Sequence, residues 1–564
     1  VVTTLDDTVD LTDGDISLRE AIYYTRFSGL NSNTVTFAQS LAGGTNLLNG
    51  TELSLGGNLT IRGPEAGIAL DAQGSNRVVL ISSFCGGTPD VTLENLTLQN
   101  GWAVNGAGLY VRDGDANLAS LKLLDNAVEQ NGYGAGLCVG GLATASVIDS
   151  ELRRNTPVSG AAGVNGGGIH NTGTLTMDRC LITDSSAKHG SGIFNNSSGV
   201  LTIRDSELSG NFKSEYYSYG AALYTQGSAD LINVLVRNNS TRDGIIYQSG
   251  SNPFRMVNVE VTGNTSTYRT FQGTSTNSIL INVTLADNNT GSYPVFDDPV
   301  TLVNSIVYNN SGPAFDANDA NVFVNCLIDT DPGFLDPVGG DYSLRTDSVA
   351  VDAGTTNGYS SEVTTDLAGN PRLVGVRPDL GAYEQQTGYT GEARSSTVTS
   401  LADEINGTNG VVSLREAITY AQSVGEPVTF DPSLSGQTIQ LSGELLLNGE
   451  LAIQGGGVTL DAGGTHRVVR IDGSSSDITL ENLTLTGGLV ADEGGGIYLR
   501  DGLLTLRDCT VVSNEATGYN DGGAIYVYYG ELHMESTDVI DNTGDEGGGL
   551  YLYYSDAVIS NCTF

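Results

Sequence analysis

Positive charge is scarce in this chain. Its 25 Lys and Arg stand against 65 Asp and Glu, a net charge of −40, and lysine is confined to Lys122, Lys188 and Lys213. Such a field repels nucleic acid and anionic membranes, which are bound through cationic footprints. It suits an extracellular surface, a salty medium or divalent cations. No run of eighteen apolar residues occurs, so membrane insertion is not expected within this segment. Cysteine is sparse, with six residues and no CxxC pair. Cys509 and Cys562 sit two repeats apart, beyond disulfide reach at the strand spacing. Most cysteines therefore read as small core residues, with a Cys85–Cys138 bridge left open.

What the chain does have is repetition on two scales, which takes precedence over any local reading. The short repeat is marked by Glu94, Ser120, Asp149, Asp178, Asp205, Asn233, Asn258, Asn282, Asn304 and Asn325, at steps of 21 to 29 residues. Each segment runs through short alternating apolar stretches and closes on Asn or Asp, as in DSELSGN (205–211) and NVTLADN (282–288). Gly clusters such as GAGLY (106–110) and GSGIF (190–194) recur between them. Strands this short bury their apolar faces only when each coil stacks on the next. The expected fold class is all-β, a tandem right-handed parallel β-helix (solenoid) with a short N-terminal capping helix per unit. Asn tolerates the left-handed backbone of a tight corner, and its amide can bond to the Asn of the next coil. A ladder of Asn100, Asn126, Asn155, Asn211, Asn238, Asn264, Asn288 and Asn310 is expected along one edge.

The long repeat has an offset of 396, over which segment 2–22 matches 398–418 without a gap, SLREAI included. VTLENLTL (91–98) then matches ITLENLTL (478–485), and GAGLYVRDG (106–114) matches GGGIYLRDG (494–502). Ser17 with Glu20, and Ser413 with Glu416, have the spacing of a helix capping box. Leu18, Ala21 and Ile22 form one apolar face that can cover an open coil. The domain expectation is a first unit over 1–384 (cap helix about 17–26, coils about 50–330, C-terminal cap 331–384) and a polar linker over 385–396. A second unit follows over 397–564, read as truncated in mid-strand. With no initiator Met or signal peptide, the chain reads as a piece of a longer precursor.

The SLREAI segments resemble the N-terminal CSLREAI-type signature of large bacterial surface proteins with right-handed parallel β-helices, with Ile16 or Val412 where the motif's Cys would stand. The Gly-Gly-aliphatic and closing-Asn repeats resemble those of polymorphic outer membrane proteins and autotransporter adhesins. DPGFLDPVGGDYSLRTDSVAVDAG (331–354) with DLAGNPRLVGVRPDLGAYE (366–384) is similar to the β-helix terminus of choice-of-anchor Q proteins. The resemblance covers nearly the whole chain and implies architecture and surface location more than activity.

The functional expectation is an extracellular structural or adhesive protein, a stiff segment of a larger surface protein, stalk or filament. Its expected partners are neighbouring units or copies of itself, end to end or lateral, and glycans or a cell surface. The alternatives are a carbohydrate-active enzyme or a glycan-binding module. Neither a Gly-His-Gly turn with close aspartates nor an acidic cluster beside a basic residue appears, so no catalytic constellation is recognised. His170, His189, His466 and His533 occupy repeat positions held elsewhere by ordinary residues and read as structural.

Alternation places Tyr110, His170, Phe194, Tyr224 and Tyr247 in one outward column, with Tyr498, Tyr526 and Tyr551 in its second-unit counterpart. Arg500, Tyr528 and Tyr553 form another. These rings either contact a sugar or a partner, or stack on one another as a ladder. No cofactor is required. Ca²⁺ is the one metal considered, on the loop Asp6, Asp7, Asp10, Asp13 and Asp15, with Asp10, Asp13 and Asp15 as its candidate ligands. Charge favouring a helix start is the competing account of that loop, and Asp331, Asp336 and Asp341 are a weaker candidate.

Overall fold

Alternation of buried and more exposed residues, as over 115–119, 228–231 and 233–237, sends every second side chain of each stretch to one side of the chain. Only parallel stacking of successive segments gives those inward side chains company. The computed structural model describes residues 1–564 except 28–32, 86–87, 214–216, 274–277, 316–320, 356–362, 375–376, 388–393, 406–408 and 474–475. It is a right-handed parallel β-solenoid of about 19 turns with two α-helices. Compactness divides it into one unit of Val1–Ser278, Leu285–Asp298 and Asn309–Asp316, and another of Ile279–Thr284, Pro299–Tyr308 and Ala317–Phe564.

In the first unit the core is three stacked columns. One runs Leu109, Leu137, Ile169, Ile193, Leu223 and Ile246. Another runs Leu118, Val147, Met177, Ile203, Leu231 and Met256. The third runs Leu98, Leu123, Leu152, Ile182, Leu208, Val236 and Val261. All are buried, each contributing roughly 1.5–3 kcal/mol before ordering costs. In the second unit the same columns recur as buried Val469, Ile497 and Ile525, and as buried Leu480, Leu506 and Met534, continued in register by half-buried Leu550 and exposed Ile559.

Two corners of each coil use the left-handed backbone. One corner carries Ser120, Asp149, Asp205, Asn233, Asn258, Asn282, Asn304 and Asn325, all at φ between 50° and 54° except Asp205 at 48°. On the coils marked by Glu94 and Asp178 the left-handed residue is the next one, Asn95 or Arg179. The position that follows is often Ser, Thr or Cys, whose hydroxyl or thiol turns back onto the carbonyl two residues earlier. Ser150 donates to Ile148 O at 2.8 Å, Ser305 to Val303 O at 2.9 Å and Cys509 to Arg507 O at 3.3 Å. Cys138, Cys180, Cys326, Cys509 and Cys562 are unbridged. Cys138 thus has no disulfide, and the side chain of Cys85 lies outside the described residues.

Each unit holds a capping helix, α1 (Leu18–Phe27) and α2 (Leu414–Val424). Ser17 N–H donates to Glu20 at 2.8 Å while Glu20 N–H donates to Ser17 Oγ at 3.2 Å; Ser413 and Glu416 repeat this at 2.8 and 3.3 Å. The arginine of each SLREAI ties the helix to the first coil. Arg19 pairs with Asp7 at 2.7 Å and donates to the Thr51 and Glu52 carbonyls; Arg415 pairs with Asp403 at 2.7 Å and donates to Gly443 O and Glu444 O. The 331–384 segment folds on a buried ion pair, Arg372–Glu384 at 3.1 Å, both side chains fully shielded. Glu384 also accepts the Val374 and Asp379 N–H groups at 2.9 Å.

Candidate functional site

The ring column of the first unit is built by register. Tyr110, Cys138, His170, Phe194, Tyr224 and Tyr247 are successive cross-coil partners. From His170 onward the rings lie nearly parallel, with centroids 5.2, 4.9 and 5.1 Å apart and interplanar angles of 3°, 5° and 5°. That spacing is the coil repeat, so the backbone itself sets the stack. A second column runs beside it through Tyr133, Asn165, His189, Tyr219 and Asp243. Tyr133 fills the gap left by Cys138, its ring 4.7 Å from His170, and His189 stacks on Tyr219 at 5.2 Å.

The stack therefore uses its own faces. Arg77 covers the far face of Tyr110 at 5.3 Å while bonding Glu52 and Asn105 O. Arg467 does the same for Tyr498 at 5.1 Å, paired with Glu444 at 2.8 Å. Tyr498, Tyr526 and Tyr551 stack at 5.7 and 5.4 Å, and Tyr528 stacks on Tyr553 at 5.3 Å. Tyr498, Tyr526 and Arg500 are buried, and Tyr110, Tyr224, Tyr247, Tyr528 and Tyr551 half-buried. Of the two readings of these columns the geometry is that of the ladder, in which the next ring or a guanidinium takes the faces; the outward placement expected from alternation does not hold for His170, Phe194, Tyr498 and Tyr526, which are buried. Tyr133, Tyr529, Tyr553 and Tyr554 are exposed.

Buried ionisable groups flank the first-unit stack. His170 is 4 % exposed, and among the described residues neither ring nitrogen has a hydrogen-bond partner. Burial pushes it down to about 4, so it is neutral at pH 7. His189 is likewise held at about 4 by burial, with Lys188 adding to the shift. Asp243 faces Arg269 at 3.3 Å, and Arg269 also pairs with Asp297. Burial raises Asp243, and burial with the Asp297 charge raises Asp298 to about 6.

The asparagine ladder exists but is displaced by one residue on two of the predicted coils. Nδ2-to-Oδ1 bonds link Asn126 to Asn155 (3.0 Å), Asn211 to Asn239 (3.1 Å), Asn239 to Asn264 (3.0 Å), Asn264 to Asn288 (2.9 Å) and Asn288 to Asn310 (3.0 Å). Ser185 bridges Asn155 and Asn211. Asn238 is instead the exposed left-handed residue, φ 56°, and Asn100 at φ 54° bonds Asp71. On the Asn100 coil the ladder position is Gly101, whose N–H donates to Asn126 Oδ1 at 2.8 Å; a Cβ there would lie 2.0 Å from Ala107 O. Corner geometry and stacking are thus divided between adjacent residues.

The acidic loop does not gather into a metal cage. Asp7 is committed to Arg19 and Asn49 N–H, Asp10 to Thr12, Asp13 to Asp15 N–H and Asp15 to Thr3. Asp331, Asp336 and Asp341 each accept from a residue two or three positions on. Among the described residues no group of three or more His, Cys, Asp or Glu could hold a metal ion. Sequence reasoning missed the Tyr133–His189–Tyr219 column. Its signal was there: each residue precedes a left-handed glycine, Gly134, Gly190 or Gly220.

A family model described as a right handed beta helix region matches residues 47–241. No curated protein matches the sequence. Among solved structures, pectate lyase Pel9A is similar over 68 % of this chain and 95 % of its own, at 12 % identity and a TM-score of 0.41. The PL6 family alginate lyase AlyGC is similar over 93 % of this chain and 77 % of its own, at 11 % identity and a TM-score of 0.22. At these scores neither bears on activity.

Proposed function

We propose that the chain is a stiff structural and adhesive segment of an extracellular surface protein, a tandem solenoid in which the second SLREAI cap marks a fresh start near 397. The observation that supports this best is how the polar and aromatic side chains are used. Asparagine amides, ring faces, Arg–Asp pairs and hydroxyls bond from each coil to the next, which stiffens a stack. The duplicated helix cap, with its Arg19–Asp7 and Arg415–Asp403 pairs, supports a fresh start in each unit. In this reading copies of the chain meet end to end or side by side. The test is electron microscopy of the native material. Rods joined end to end are expected, and compact monodisperse particles would refute the reading.

A further inference from the structure

The chain contains a single tryptophan, and it stands half in solvent. Trp102, 46 % exposed, lies in an open groove of ≈ 490 Å³ lined also by Leu47, Asp71, Gln73, Asn100 and Asp125. Unlike the tyrosines of the ring columns, it has no aromatic or guanidinium neighbour among the described residues. The reason is local. The next coil pairs Ala127 with Trp102, so a methyl group stands where a ring would cover the indole.

The polar side of the groove is preset. Asp71 accepts Gln73 N–H at 2.7 Å, the Gln99 amide at 3.0 Å and the Asn100 amide at 2.9 Å. Asp125 is held by Arg154 through two 2.7 Å bonds, which uses that cation's charge. An exposed flat indole thus stands beside fixed carboxylate and amide oxygens, with the apolar Leu47 and Val158 at the sides. A sugar offers the complement of this surface, a C–H face for the indole and hydroxyl donors for the oxygens. Its volume falls within the range of about 300–1,000 Å³ typical of ligand sites. With two carboxylates in the groove and a net charge of −40, a polyuronate is repelled.

The geometry points to a binding site for a neutral oligosaccharide in this groove. The proposal gives the adhesive part of the reading above its ligand class and rests on that reading for its role, while the two fail separately. Saccharide binding by compact particles would sink the rod alone, and rods without saccharide binding would sink the groove alone.

Because Trp102 is the only tryptophan, its emission reports on the groove directly. The intact chain is titrated with a neutral gluco-oligosaccharide, an N-acetylglucosamine oligomer and an oligogalacturonate, with calorimetry in parallel. A saturable emission shift is expected with at least one neutral oligomer, and binding weaker by about tenfold or more with the oligogalacturonate. Trp102→Ala, followed by calorimetry, and Ala127→Phe, which covers the indole, should each abolish binding with circular dichroism unchanged. Asn100→Gly keeps the left-handed backbone and should weaken binding by about tenfold. No response to any neutral oligomer, equal binding of the oligogalacturonate, or undiminished binding by a folded Trp102→Ala variant would each overturn the proposal.

Discussion

Asn238 and Asn239 are neighbours of the same chemistry with separate duties, and replacing each in turn tests the division of labour at the coil corner. Asn239 is buried and makes five side-chain hydrogen bonds. Its Oδ1 accepts Asn211 N–H at 3.0 Å and Asn211 Nδ2 at 3.1 Å; its Nδ2 donates to Leu208 O, Arg237 O and Asn264 Oδ1 at 2.8, 3.1 and 3.0 Å. Truncation to Ala orphans the Asn211 N–H and one amide proton of Asn211. At roughly 1–3 kcal/mol per buried unsatisfied donor, the loss comes to about 4 kcal/mol. Asn238 is exposed, and its substitution by Ala incurs only the left-handed backbone penalty of about 1–2 kcal/mol, which Asn238→Gly removes. A coil stack can open piecewise, so the readout is native-state hydrogen exchange on the amides of 206–213 and 234–242, alongside urea unfolding. Equal losses at the two positions, or a larger loss at Asn238, would refute the assignment.

Other outcomes follow from the same packing. Gly101→Ala and Gly488→Ala should each be severely destabilising, because the added Cβ would lie 2.0 Å from Ala107 O and 1.9 Å from Gly495 O; thermal melts of the two variants read this. His170 titrates near 4 when folded and at about 6.5 when unfolded, so the unfolded chain binds more protons between those values. The His170 contribution to stability is therefore full above pH 6.5 and is lost as pH falls toward 4, by up to about 3 kcal/mol, and His170→Phe should flatten that part of the acid-unfolding curve. Arg372→Met strands the Glu384 carboxylate in the interior and should cost about 3–5 kcal/mol, seen as faster proteolysis within 331–384. The double variant Arg372→Met, Glu384→Leu should be milder than the single one. A chelator should leave the thermal midpoint unchanged, since the acidic-loop carboxylates are already used by Thr3, Thr12 and backbone N–H groups.

The coil stack and both capping boxes were legible because each is a local pattern with one physical solution. Alternating strands of three to five residues can only stack, and S-x-x-E before an apolar face can only start a helix well. The ladder was read one position off at Asn238 because the corner and the stacking site favour the same residue type, and NN pairs satisfy both. Asn100 misled for the opposite reason, since its ladder site is a glycine. The ring columns were found by alternation, but their cover was not. It depends on the neighbouring column across a left-handed glycine corner, a lateral contact that alternation along a strand does not encode. The Trp102 groove leaves no pattern in the sequence because it forms where a ring is missing from the next coil. The acidic loop reads in sequence either as Ca²⁺ ligands or as charge favouring a helix start, because the partners that take its carboxylates, Arg19, Thr12, Thr3 and backbone N–H groups, are set by the folded loop.

SLREAI carries a second, distant half. Its arginine has a fixed correspondent twelve positions upstream, Asp7 for Arg19 and Asp403 for Arg415, and each aspartate also receives an N–H from the first coil, Asn49 or Ser442. The motif is thus discontinuous: six contiguous letters plus a distant acid. Relatives that alter one member of the couple are expected to alter the other, and a search pattern extended to include the acid would separate true lids from chance hexapeptides.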